Sequence, residues 1–211
     1  MKQVGMAVWA AALAAPFAAQ AANVDHIDAY YIPDSKLEVR DPGLADAVES
    51  DSGDGFGVRL SLSLTDSIFF AAEYQATEHD FDIGGTTVQG TVDISRAGFG
   101  YNTTLPVYLL VEYLQADYGF SSGGNDISVD QAGFGAHLGL RFDVIEFLTL
   151  EARGGYLHLG DYTGFEYLGG VALNLDRGFS LYADYHVIDI ENSDDRGFKT
   201  SDLRTGLRFN F

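Results

Sequence analysis

The closing stretch Asp202-Leu203-Arg204-Thr205-Gly206-Leu207-Arg208-Phe209-Asn210-Phe211 decides the fold. Side chains along a strand alternate between two faces with a period of two. Leu203, Thr205, Leu207, Phe209 and Phe211 therefore share one face, and Asp202, Arg204, Gly206, Arg208 and Asn210 share the other. The same division runs through Phe134, Ala136, Leu138, Leu140 and Phe142 against Gly135, His137, Gly139 and Arg141. It recurs in Phe56, Val58, Leu60, Leu62 and Leu64 against Gly57, Arg59, Ser61 and Ser63. Every arginine inside such a segment lies on the polar parity. A barrel that turns its apolar face to lipid and its charges inward has this pattern.

Working outward, the alternation predicts ten strands at 24–32, 54–64, 68–79, 91–103, 107–119, 131–142, 147–160, 164–175, 179–190 and 200–211. Most exceed the ~9–11 residues that a tilted strand needs to cross hydrocarbon. Eight strands is the alternative, because 24–32 is weakly patterned and the 161–163 link is short. Tight turns near 65–67, 104–106, 143–146 and 176–178 alternate with longer connections at 33–53, 80–90, 120–130 and 191–199. Thr65-Asp66-Ser67, Asp176-Arg177-Gly178, Gly84-Gly85 and Gly123-Gly124-Asn125 supply turn chemistry. An even strand count leaves both ends of the chain on one side. The predicted class is all-β, a single antiparallel up-and-down transmembrane barrel.

At the start, Lys2, the apolar run Val4 to Phe17 and Ala19-Gln20-Ala21 predict a cleaved secretory signal over 1–21, with the barrel domain over 22–211. Lys2 is the only charge in that segment, so the remainder carries 11 basic and 31 acidic residues, 11 − 31 = −20. Such a chain is not expected to seek nucleic acid. With 0 cysteines the fold closes without disulfides, and no cysteine follows the signal to carry a lipid anchor. No later segment approaches the ~20 apolar residues of a spanning helix, so the chain crosses a membrane only as a closed sheet.

Six of the basic residues are arginines inside strands, Arg59, Arg96, Arg141, Arg153, Arg204 and Arg208. Glu73, Glu112, Glu151, Glu166, Asp184 and Asp202 share the polar parity with them. A near-neutral interior charge network follows, with Gln75, His137, His186, Ser61 and Ser180 completing its hydrogen bonds, because guanidinium and carboxylate pair bidentately when desolvated. The rival is a soluble lipocalin-like barrel with arginine on the solvent face, where arginine is commoner. The export signal and the terminal aromatic favour the membrane. So do aromatics near strand ends, Phe69, Phe70, Phe142, Phe147 and Phe179 at one side and Tyr30, Tyr31, Tyr118, Phe120, Tyr162 and Phe165 at the other.

The signal, the ten alternating segments and the end Leu207-Arg208-Phe209-Asn210-Phe211 resemble the small outer-membrane β-barrels of Gram-negative bacteria, the OmpA/OmpX-like, porin-family group. The resemblance covers the chain after the signal, and it is one of architecture. It implies an outer-membrane location, a surrounding of lipid and lipopolysaccharide, and recognition of Leu207, Phe209 and Phe211 by the barrel-assembly machinery. It fixes neither oligomeric state nor activity.

Two pairs invite a catalytic reading, His158 with Asp161 and His186 with Asp184. The histidine-spacer-serine triplet of a lipid A deacylase is absent, since Leu159-Gly160 follow His158 and Val187-Ile188 follow His186. A hydrogen-bonding role for His186 and a rim position for His158 are the simpler expectations. Carboxylates crowd the long connections, among them Asp34, Glu38, Asp41, Asp46, Glu49, Asp51, Asp80, Asp82, Asp194 and Asp195. Asp51-Ser52-Gly53-Asp54-Gly55 lacks the spacing and closing glutamate of a calcium loop. No resident metal or cofactor is expected. The expected function is that of a non-enzymatic barrel, structural or a narrow passage for small solutes. The alternative is a surface interaction module whose acidic loops bind a partner or, through divalent cations, lipopolysaccharide.

Overall fold

The computed structural model describes residues 25–43, 47–83, 86–123, 125–175 and 178–211, so the predicted signal segment lies outside the described residues. The strands are β1 (His26–Arg40), β2 (Val48–Glu49), β3 (Ser52–Ser63), β4 (Ile68–Ile83), β5 (Thr86–Asn102), β6 (Val107–Ser122), β7 (Asn125–Ile145), β8 (Leu148–Leu159), β9 (Tyr162–Asn174), β10 (Phe179–Glu191) and β11 (Gly197–Asn210). Setting aside the two-residue β2, ten strands of 12 to 21 residues pair antiparallel with their chain neighbours. β1 then pairs with β11, from His26 opposite Asn210 to Arg40 opposite Gly197, and the sheet has no open edge. Hydrocarbon offers no hydrogen bonds, so only such closure satisfies every strand's backbone.

The faces point as the alternation predicts. Phe134, Leu138 and Leu207 are 62%, 55% and 56% exposed on the outside, whereas Arg59 and Arg141 are 8% and 9% exposed in the lumen. A soluble barrel would show the reverse.

All four long connections are shorter than the alternation suggests, because the strands continue into them, and between β10 and β11 only 192–196 remain. β4 and β5 pair up to Ile83 and Thr86, and β6 and β7 up to Ser122 and Asn125. β1 runs on to Arg40, past a register shift between Tyr31 and Asp34 where Pro33 has no N–H to give the ladder. Beyond the lipid-facing zone the parity is kept but its polarity is exchanged. On the outer face of β4, Ile68, Phe70, Ala72, Tyr74 and Ala76 give way to Glu78, Asp80 and Asp82, while inward Glu73 and Gln75 give way to Phe81. On β6, Leu109, Val111 and Tyr113 outside give way to Gln115 and Asp117, as Glu112 inside gives way to Leu114, Ala116 and Tyr118. The inverted polarity, apolar outside and charged inside, is confined to the lipid-facing zone; above it the outer face is polar and the inner face apolar.

The exchange is marked by rings. Tyr31, Phe56, Tyr74, Tyr113, Phe134, Tyr156, Phe165 and Tyr185 stand outward where the exchange occurs, with Tyr113 against Phe134 at 5.4 Å and Tyr156 against Phe165 at 5.6 Å. Tyr30, Phe69, Tyr118 and Tyr162, predicted for the girdles, instead point inward and are buried.

Turn chemistry closes the hairpins. Thr65 Oγ1 accepts from the backbone N–H groups of Ser67 and Ile68 at 3.3 and 3.0 Å. Gly123 and Gly160 take φ of 59° and 57°, values that glycine adopts without a Cβ penalty.

Leu138→Arg, in the middle of the lipid-facing zone, is expected to destabilise the folded barrel by ~2–4 kcal/mol in lipid vesicles. Gln115→Arg, above the exchange, is expected to cost less than ~0.5 kcal/mol. Denaturant unfolding of both variants in vesicles measures the difference, and equal costs would contradict the membrane limits drawn here.

Candidate functional site

The strands bring the predicted interior residues into one layer across the lumen. Arg208 pairs bidentately with Asp28 through Nε and Nη2 at 2.8 and 2.9 Å. Arg59 reaches Glu73 at 3.1 Å, Asp28 at 3.6 Å and Asp184 at 3.7 Å. Arg204 donates to Asp184 at 2.5 Å and Glu73 at 3.2 Å. Arg96 bridges Glu112 at 2.9 Å and Glu166 at 2.8 Å, and Arg153 joins Glu166 at 2.6 Å. Arg141 holds Glu151 at 2.8 Å. The Tyr30 hydroxyl donates to Glu73 at 2.7 Å, and its ring lies under the Arg204 and Arg59 guanidiniums at 5.4 and 5.8 Å.

His186 belongs to this layer but not with Asp184, as its pairing on paper suggests. Its Nε2 lies 2.9 Å from Glu166 and its Nδ1 3.5 Å from Asp202, and its side chain is fully enclosed. Asp202 also accepts from Ser35 at 2.6 Å and Gln75 at 2.8 Å. His137 lies 3.2 Å from Glu112. Two predicted hydrogen-bonders, Ser61 and Ser180, do face inward, the latter donating to Asn174 at 2.8 Å.

The alternation does not single out His26, Asp28 and Ser35, all of them buried. The signal was there: His26, Asp28 and Tyr30 have the inward parity of a strand whose pattern is short and is broken at Pro33. With Asp28, the buried layer has seven carboxylates, Asp28, Glu73, Glu112, Glu151, Glu166, Asp184 and Asp202, against the six arginines. 

A lumen polar from end to end does not result. Above the ionic layer lies an apolar plug of Leu37, Phe81, Val92, Ile94, Leu114, Tyr118, Leu157, Leu159, Ile188, Ile190 and Phe198. Tyr118 stacks on Phe198 at 4.3 Å across it. Below the ions, Phe69 meets Tyr108 edge to face at 5.8 Å beside Leu110.

Other candidate chemistry is dispersed. Glu112, His137 and Glu166 place donor atoms within 4.8 Å of one another, a spacing that could hold a metal ion. Arg96 and Arg153 already engage both carboxylates, and a dication there would face two guanidiniums. His158 is exposed on the outer face, opposite Phe134 and Thr163. Asp54 lies in β3 rather than in a loop, and Asp51 Oδ2 accepts from the Asp82 N–H at 2.8 Å, so no calcium loop forms. On the outer face above the girdle, Asp117 stands directly between Asp93 and Asp130 on the neighbouring strands. Partial burial first, and then the Asp130 and Asp93 carboxylates, hold the Asp117 carboxyl above its ordinary range.

No protein-family model and no curated protein matches the chain. Solved structures do. The translocator domain of the autotransporter NalP from Neisseria meningitidis is 11% identical over 90% of each chain, with a TM-score of 0.52. Ail, the attachment invasion locus protein of Yersinia pestis, is 16% identical, with 88% of this chain and 99% of that chain covered and a TM-score of 0.45. Neisserial surface protein A is 14% identical, with 88% and 96% covered and a TM-score of 0.45. The chain has the fold of the Gram-negative outer-membrane β-barrels, here a closed antiparallel cylinder of ten strands with one short accessory strand.

Proposed function

We propose that the protein is a non-enzymatic outer-membrane barrel, closed to solutes, that carries a rigid acidic surface beyond the membrane. The observation that supports this reading is the stacking of two fillings in one lumen. Water-filled channels belong to barrels of ~16–18 strands, and in a ten-strand cylinder the paired arginines and glutamates span the bore. An ion passing the charged layer would then meet the apolar plug, where it finds no compensating group. Solute passage, the other half of the expectation, therefore has less support than a structural or surface role.

The strands' continuation past the lipid zone supports the surface role, since it replaces loops by a sheet with fixed side-chain positions. Leu207 and Phe209 lie exposed on the lipid face of β11, with Phe211 exposed beyond it, which suits their reading as an assembly signal. 

The Asp93, Asp117 and Asp130 row favours one partner chemistry, divalent cations that link the barrel to lipopolysaccharide phosphates. Hard oxygen ligands suit magnesium and calcium, and the row stands at the height where a girdle meets the headgroups.

Three measurements test these readings. Planar-bilayer recording of the wild-type protein is expected to show no steady conductance, and a stable open level would end the closed-lumen reading. Within the network, Glu166→Gln removes a fully enclosed carboxylate shared by Arg96, Arg153 and His186, so denaturant unfolding is expected to show a loss of ~3–5 kcal/mol. Arg141→Gln, whose side chain is 10% exposed and has Glu151 as its ion partner, is expected to cost less. An equal or reversed order would mean that the layer is not a dry ionic core.

The third concerns pH. Because the folded Asp117 carboxyl titrates above its ordinary value of 3.8, its contribution is fully favourable below that value and is lost as pH rises through the raised one. At neutral pH three carboxylates in a row therefore oppose folding by less than ~1 kcal/mol after solvent screening. Asp117→Asn is expected to raise stability slightly at pH 7, to change nothing near pH 3, and to reduce the stabilisation by millimolar magnesium. If magnesium stabilises wild type and Asp117→Asn equally, the cation link is wrong.

A further inference from the structure

We infer that the turn-side half of the lumen, where β1 begins and β11 ends, contains a binding site for one small monovalent anion of halide size. A cavity lies there among the turn-side ends of β1, β3, β4, β6, β7 and β8. Its charged lining is Arg59, Arg141 and Arg153 against a single carboxylate, Glu151. The lining carries three guanidiniums to one carboxylate, and the other partners of Arg59 (Glu73, Asp28 and Asp184) and of Arg153 (Glu166) stand outside it.

The hydrogen-bond inventory points the same way. Glu151 already accepts from Arg141 at 2.8 Å and from the Tyr108 hydroxyl at 3.1 Å. The Nε–H groups of Arg59, Arg141 and Arg153 are buried without a protein acceptor, and neither ring nitrogen of the fully buried His26 has a hydrogen-bond partner. Arginine Nε donates only, and one imidazole nitrogen of His26 donates in either tautomer. The lining thus asks for a group that accepts several hydrogen bonds. Water accepts two and must place two protons of its own, whereas an anion accepts from every direction and gains from charge assistance.

Size selects among anions. The cavity measures ≈ 30 Å³, room for roughly two water-sized groups. A single chloride or bromide is of that size. The lining also includes the apolar cluster Phe69, Ala71, Tyr108 and Leu110. This site is separate from the question of conductance, since the plug lies above the ionic layer and the cavity below it.

The test uses the full barrel refolded in detergent, with sodium bromide compared with sodium gluconate at matched ionic strength. Bromide is expected to raise the unfolding temperature by roughly 3–6 °C along a single-site saturation curve. Anomalous scattering from bromide-soaked crystals is expected to place one peak in this cavity. Ala71→Met fills the space and leaves every charge in place, so it should keep the heat-dependent gel shift of a folded barrel and lose both the bromide stabilisation and the peak. Equal stability in bromide and gluconate together with water alone in the cavity would overturn the proposal, as would bromide stabilisation that Ala71→Met leaves intact. Should Ala71→Met not fold, the wild-type bromide peak decides by its presence or absence.

Discussion

A peptide group without a hydrogen-bond partner costs several kcal/mol in hydrocarbon. That one constraint orders everything else in this molecule. It requires the β1–β11 seam, the seam makes a cylinder, and the cylinder divides every strand into a lipid face and a lumen face. Once that division exists, residue chemistry has only two environments to satisfy at each height. The lipid face needs no partners and takes leucine, valine and the aromatics. The lumen is narrow, filled largely by side chains and lined by ten strands, so most polar groups in it are matched by others across the bore.

The matching is done largely by arginine and glutamate because both reach the axis. Arg96, from β5, touches Glu112 on β6 and Glu166 on β9, and Arg204, from β11, touches Asp184 on β10 and Glu73 on β4. Contacts of this kind connect strands that are not neighbours in the sheet and so resist flattening of the cylinder. They are also unforgiving. Removing one member leaves charge in a low-dielectric space, and the loss exceeds what the intact pair contributes over an apolar one. The plug above uses the opposite solution, filling the same bore with Ile, Leu, Val and rings. Both fillings occupy the bore with side chains, which is why a cylinder can change from one to the other without widening.

Much of this was legible in the chain itself. Period-two alternation located the strands and the faces, because one face meets a uniform apolar solvent and tolerates no exceptions. The buried arginines followed from parity alone. What alternation did not reveal was where the membrane stops. The stretches 80–90 and 120–130 carry few of the signals of a lipid-facing strand, because outward residues such as Asp80, Asp82, Gln89, Ser121, Ser128 and Asp130 are polar, so they read as loops although the backbone ladder continues to Ile83 and Thr86 and to Ser122 and Asn125. The apolar plug was partly hidden for the same reason, since Leu37, Phe81 and Phe198 are inward residues of stretches whose outer faces had ceased to look like strands. Asp28 was missed at the opposite end, where the four inward residues before Pro33, His26, Asp28, Tyr30 and Ile32, mix polar and apolar chemistry and mark no charged face. The partners of His186 were beyond reach, because strand register and stagger decide which carboxylate meets it across the lumen.

The ionic filling has a consequence that an aliphatic one would lack. Were both faces apolar through the lipid zone, a strand shifted by one residue would present an equally acceptable surface, and pairing register would be weakly specified. Here a one-residue slip of β11 would carry Arg204 and Arg208 into lipid and Leu203 and Leu207 into the charged layer. Each arginine near the bilayer centre costs ~2–4 kcal/mol, before the abandoned carboxylates of Asp184 and Asp28 are counted. Six arginines distributed over β3, β5, β7, β8 and β11 apply this penalty to half of the ten strands, and the carboxylates on β1, β4, β6, β9 and β10 apply the matching one to the rest. The charged layer therefore specifies which face of each strand meets lipid, and the closed seam converts that local choice into one register for the whole cylinder.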